Sequence, residues 1–246
     1  MLYPAHHKNF SLNYQQIELL LNDLSPGGRR SLLHHLEKEG YILRENLLGQ
    51  SWITITGQGK RQCKRLFPAF SDHWQAWQGE WELLVFLSAP KNDPQFRYLR
   101  NLLLEERAVF LSRGVYAVPG KLSEKVLAVV ESLYQRAVAV FAISEWKFGS
   151  EQEIVIEQLG LTDIIEAYSG ISREIRELLE NCDKNVRLTN QQKLLFIPVF
   201  DRFWENVTMD TGFARYYVPN APTAADMLSQ LQKLLFCMYA DNNSLI

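Results

Sequence analysis

The residues most suited to chemistry are five histidines and three cysteines, and their spacing does not build a reactive centre. His6-His7 and His34-His35 are adjacent pairs. Neighbours along a helix do not share a face, so neither pair chelates a metal. Cys63, Cys182 and Cys237 are far apart, with neither a CxxC metal spacing nor a disulfide framework. His73 stands beside Trp74 with no Ser or Cys nucleophile at a recognisable spacing. Gly57-Gln58-Gly59-Lys60 resembles half a phosphate loop, but it lacks the four-residue spacer and the Lys-Ser/Thr ending. It reads as a tight strand-to-helix turn. No catalytic residue, metal ligand or cofactor is expected.

The spacing that does imply chemistry is cationic. From Pro26 to Glu39, Leu32, Leu33 and Leu36 fall on one helical face. That leaves Arg30, His34 and Lys38 as an exposed i, i+4, i+8 stripe, flanked by Ser31 and His35. Such side chains reach phosphates and base edges in a major groove. Ser25 and Arg29, at the start of the helix, complete the candidate set with Arg44 and Gln50 on the following hairpin. A hairpin of that kind touches the DNA backbone or minor groove. The alternative for the same stripe is a solvated face of a protein-interaction module. Glu37 and Glu39 weaken the DNA reading a little.

The elements that must hold this stripe follow from periodicity and caps. Ile17, Leu20, Leu21 and Leu24 give a helix over 14–24. Ser25-Pro26 is an N-cap followed by Pro at the first helical position, and Gly40 ends the second helix. Residues 41–44 and 51–55 read as a hairpin with a tip at Gly49-Gln50, and Thr56 caps another helix carrying Lys60, Arg61, Lys64 and Arg65. This order predicts a winged helix-turn-helix whose first helix is missing or much abbreviated. After a linker over 67–77, strands and helices alternate as β-α-β-β-α-β from Glu80 to Ile143, the ferredoxin-like split unit. Four helical stretches follow, over 151–159, 163–181, 191–206 and 224–239. The expected fold class is α+β in three parts: a winged helix-turn-helix over 1–70, a ferredoxin-like domain over 71–149, and a helical domain over 150–246 for effector binding or dimerisation.

Composition supports a folded chain, with 47% hydrophobic and 22% charged residues among 246. No apolar run approaches the roughly 20 residues of a membrane span, and the start of the chain lacks a secretory pattern. A cytoplasmic protein with no membrane partner is expected. The net charge of −2 hides an asymmetry: +4 over 1–70, zero over 71–149 and −6 over 150–246. A basic segment on a neutral-to-acidic body fits a polyanion partner for that segment alone.

The stretch from Leu24 to Ile42, LSPGGRRSLLHHLEKEGYI, resembles the recognition-helix region of the PaaX family of bacterial transcriptional repressors. The Thr56-Gly57-Gln58-Gly59 turn after the hairpin is similar to that family's Thr-x-x-Gly pattern. Trp77-Gln78-Gly79-Glu80-Trp81 looks like its Trp-x-Gly-x-Trp opening of the central domain, and Leu99-Arg100 and Val115–Pro119 fall where further family motifs stand. The resemblance implies a homodimeric repressor that binds double-stranded operator DNA. Its central domain is similar to the small subunit of the CRISPR adaptation complex, and its effector is an aryl-CoA thioester. Arg173, Arg176 and Arg215 are the candidate cations for such an effector, with Trp204 and Tyr216 to cover its ring. Two other readings stay open: a protein-interaction or structural factor with a degenerate winged helix, and a nucleic-acid-processing protein built on the ferredoxin-like domain. The latter suffers from the first central strand, which ends Phe86-Leu87-Ser88-Ala89-Pro90 with no Asp for a metal.

Overall fold

A computed structural model describes residues 11–239 apart from 48–49, 72–76, 89, 148 and 184–189. His6-His7, His73 and the Gly49 tip therefore lie outside the described residues, as do the side chains of Gln50 and Cys182. The architecture is α+β with two antiparallel sheets. The chain divides into two units, one formed by residues 1–72 with 164–246, the other by 73–163.

The first unit opens with β1 (Ser11–Asn13), a strand the sequence reading missed. It is too short to show a period, and it forms by pairing with β3 (Gln50–Ile55), Leu12 opposite Ile53. Asn13 then starts α1 (Tyr14–Leu20) with a full capping box, its side chain accepting from the Gln16 amide while Gln16 accepts from the Asn13 amide. The helix ends four residues sooner than its apolar period suggests. The Asn22 side chain donates to the Leu19 carbonyl and competes with the next helical turn. As the sequence predicts, Ser25 caps α2 (Pro26–Lys38), its Oγ accepting from the Gly28 amide at 3.1 Å. Gly40 follows at φ +70°, a left-handed conformation that suits glycine.

The hairpin of β2 (Ile42–Leu47) and β3 gives the sheet order β1-β3-β2. Ile42, Ile53 and Ile55 are buried under it. Thr56 caps α3 (Gly57–Leu66) and also donates to the Gly40 carbonyl at 2.6 Å, while Gln58 donates to the Glu39 carbonyl. The start of α3 is thus fastened to the end of α2.

In the second unit, β4 (Trp81–Phe86), α4 (Pro94–Glu105), β5 (Val109–Ser112), β6 (Val115–Pro119), α5 (Glu124–Val129) and β7 (Val138–Ile143) appear in the predicted order. The sheet order is β5-β6-β4-β7, all pairs antiparallel. One face carries Leu84, Phe86, Tyr116 and Val118 against Leu99, Leu103 and Val126 of the two helices, which is the core. After α5 the helix widens through a π turn at Val130–Tyr134, placing the Tyr134 hydroxyl 2.7 Å from Asp93. Strand β7, apolar throughout, is an edge strand with Val140 and Phe141 exposed. Helix α6 (Glu151–Gln158) closes part of the other face: Trp81 Nε1 donates to Glu151 at 2.9 Å, and the Phe110 amide donates to Gln158 at 2.7 Å.

The rest of the first unit is helical: α7 (Leu161–Asp183, its first residues in the second unit), α8 (Asn190–Met209), α9 (Ala214–Tyr217) and α10 (Ala224–Tyr239). The short α9 escaped the sequence reading because four residues carry no period. The first residues of the expected linker after α3 are structured. Pro68–Phe70 form a 3-10 turn, and Phe67 and Phe70 join Trp204 in an aromatic cluster with ring centres 5.2 and 6.3 Å apart. A buried polar group orders the helices here: the Tyr168 hydroxyl donates to Asp210 at 3.0 Å, and Asn206 donates to the Ile164 carbonyl.

Candidate nucleic-acid interface

Helix α2 buries Leu33 and half-buries Leu32 and Leu36, which fixes its rotation. Arg30, Ser31, His34, His35 and Lys38 are all exposed on the outer side. The structure therefore brings together the stripe that the spacing predicts. His35 and Lys38 also sit in the last turn, where cations complement the helix dipole.

Two candidates have other partners. Arg29 is turned back onto α1: its guanidinium donates to the Glu18 carbonyl at 3.2 Å and lies 3.8 Å from the Glu18 carboxylate, with only 14% of its side chain accessible. It belongs to the α1–α2 junction and stands apart from the outward stripe of Arg30, His34 and Lys38. The reason is helical phase, since position 29 lies one turn before Leu33 on the packed side. Arg44 lies on β2, exposed, and pairs with Glu37 of α2 at 3.7 Å. That surface pair is worth about 0–1 kcal/mol and leaves the guanidinium able to exchange partners. Ser25 is exposed, but its hydroxyl serves as the cap of α2.

The effector candidates fare unevenly. Arg173 and Arg176 lie on the exposed side of α7, Arg176 donating to the Ser172 carbonyl. Arg215 and Tyr216 are exposed on α9. Trp204 is half-buried, and its ring packs on Phe67, Phe70, Phe200 and Phe203. An unpredicted ion pair holds α7 to α8, with Arg202 gripping the Glu174 carboxylate by both terminal nitrogens.

Burial pushes the Cys63 thiol up, away from the reactive thiolate. Among the described residues no cluster of His, Cys, Asp and Glu could hold a metal, and no helix is long and apolar enough to cross a membrane.

Residues 74–168 match the family model described as the PaaX protein central Cas2-like domain. Over that stretch the chain is similar to the central domain of the PaaX family, as its motifs suggested, and the likeness points to transcriptional regulation. A solved structure of the uncharacterized protein Rv0674 from Mycobacterium tuberculosis is 14% identical, with 92% of this chain and 87% of that chain aligned at a TM-score of 0.49. No curated protein matches the sequence.

Proposed function

We propose that the protein is a DNA-binding transcriptional repressor, acting as a homodimer on double-stranded operator DNA and responding to a small-molecule effector. Residues 1–70 are read as a winged helix-turn-helix, with α2 as recognition helix and the β2–β3 hairpin as wing. Residues 71–149 are read as a ferredoxin-like domain and 150–246 as the helical effector and dimerisation part. One observation carries the reading: Arg30, His34 and Lys38 stand exposed along a helix whose leucines anchor it from behind. Ser31 and His35 flank that stripe, while Arg44 and Gln50 belong to the wing. The β1-β3-β2 sheet order supports the reading, since a short N-terminal strand closes the wing hairpin against the helices. The test is fluorescence anisotropy of the purified protein on DNA from its own upstream region across a salt series. Tight binding that weakens steeply with salt and exceeds scrambled DNA by at least a hundredfold is expected. Equal affinity for both DNAs would overturn it.

A second reading, an interaction module that has lost operator binding, is favoured by the engagement of Arg29 and Arg44 with glutamates. For the effector, an aryl-CoA thioester would rely on Arg173, Arg176 and Arg215, with Tyr216 beside them.

A further inference from the structure

Behind the cationic helix lies a cavity of about 270 Å³ whose lining, among the described residues, is entirely apolar. Leu32, Leu33 and Leu36 of α2 form one wall, Ile17 and Leu20 of α1 with the adjoining Leu21 a second, and Phe200 of α8 another; the strand residues beneath complete it. Protein interiors normally leave few voids larger than a water molecule. Here four leucines, Leu20, Leu21, Leu32 and Leu36, stay partly accessible in a place that packing would ordinarily fill. An apolar cavity of roughly 150 Å³ stays dry and takes up benzene, so this one has room for a two-ring aromatic or a medium alkyl chain. A charged head group would find no partner among the lining residues, and a buried unpaired charge is strongly disfavoured.

We propose that this cavity is a binding site for a small neutral hydrophobic ligand, seated directly against the inner face of α2. Three of the cavity leucines belong to the helix that presents Arg30, His34 and Lys38. Occupancy therefore bears on the helix that reads DNA without touching its outer surface. The binding claim stands on the cavity alone; its effect on DNA rests on the function proposed above. This site differs in place and chemistry from the exposed arginines of α7 and α9, which would take an anion.

The test is thermal denaturation of the full chain with indole, naphthalene and 1-octanol, and with octanoate as an anionic counterpart. A neutral ligand at about 100 times its Kd should raise Tm by roughly 5–10 °C, with octanoate giving a much smaller shift. Leu20→Trp and Phe200→Trp fill the cavity from two different walls. Either variant, once circular dichroism shows it folded, should lose the response. Neutral ligands that leave the wild-type Tm unchanged up to their solubility limit would overturn the proposal, as would a shift that persists in a folded, filled variant. Anisotropy on upstream DNA with and without indole separates the two claims. A thermal shift in a protein that never binds DNA supports the cavity site and sinks the DNA reading instead.

Discussion

Replacing Gly59 with alanine should damage the protein where the hairpin meets α3, and the structure supplies the magnitude. A Cβ at position 59 would stand 2.2 Å from the Tyr41 carbonyl oxygen and 2.7 Å from Ile55 Cγ1. Favourable heavy-atom separations are about 3.5–4.0 Å, so the backbone would have to move by about 1 Å or more. The obstructing carbonyl is not free to yield, because it accepts the Thr56 amide at 3.0 Å. Overpacking of this kind costs about 1–3 kcal/mol, and more where backbone is involved. Alanine returns about 1 kcal/mol through its better helix propensity. The balance is a net loss of about 2 kcal/mol, or a fall in Tm of roughly 4–8 °C. Gly57→Ala is the internal control, for its Cβ would meet only the Arg61 guanidinium at 3.7 Å. Helix propensity then acts alone, and stability should rise by about 0.4–1 kcal/mol. Urea and thermal denaturation of both variants measure the contrast. If Gly59→Ala proved as stable as wild type, the close approach of α3 to Tyr41 would be wrong.

Three further outcomes are expected. Arg30→Ala and His34→Ala should each lose about 1–3 kcal/mol of specific DNA affinity, roughly 5- to 150-fold, while changing stability by less than about 0.5 kcal/mol; an equal loss on scrambled DNA would show that neither reads bases. Tyr168→Phe should cost about 1–3 kcal/mol in denaturation, because it strips a hydrogen bond from the buried Asp210 carboxylate; a Tm within 1 °C of wild type, roughly a quarter to a half of 1 kcal/mol, would contradict that. The third outcome concerns pH. The Tyr134 hydroxyl, together with backbone amides of α4, holds the Asp93 carboxyl below the usual carboxylate range. Its stabilising effect is therefore present above the ordinary Asp value near 3.9 and fades as pH falls through the lowered one. Burial and Asp93 push Tyr134 up to about 12, so its own contribution is intact below pH 10 and is lost on rising through about 12. Asp93→Asn keeps the helix cap and should flatten the acid limb of a Tm–pH curve; an unchanged acid limb would count against the pairing.

The sequence by itself determined the elements whose signals are local. Ser25-Pro26, Thr56 and Ser123 mark helix starts because a cap is a contact within three residues. Gly40 marks a stop because a left-handed turn is a property of one residue. The leucine period of α2 also determined its outward stripe, since a helix with one apolar face has only one way to turn. The Trp-x-Gly-x-Trp opening and the strand–helix alternation after it were sufficient to show the PaaX resemblance, which the central-domain match bears out.

What escaped was settled across distance in the chain. Strand β1 exists because Ser11–Asn13 finds β3 forty residues on, and three residues have no period to announce it. Arg29 and Arg30 are neighbours of the same type, yet α1 supplies Glu18 to one and leaves the other to solvent. The contacts of Trp204 with Phe67 and Phe70 join residues more than 130 positions apart, which no local pattern announces. The residues of β7 are apolar throughout, yet the sheet order puts the strand at an edge, with Phe141 exposed. Nor could the cavity behind α2 be read from the chain. A void depends on which side chains from six elements fail to meet, and only tertiary packing decides that.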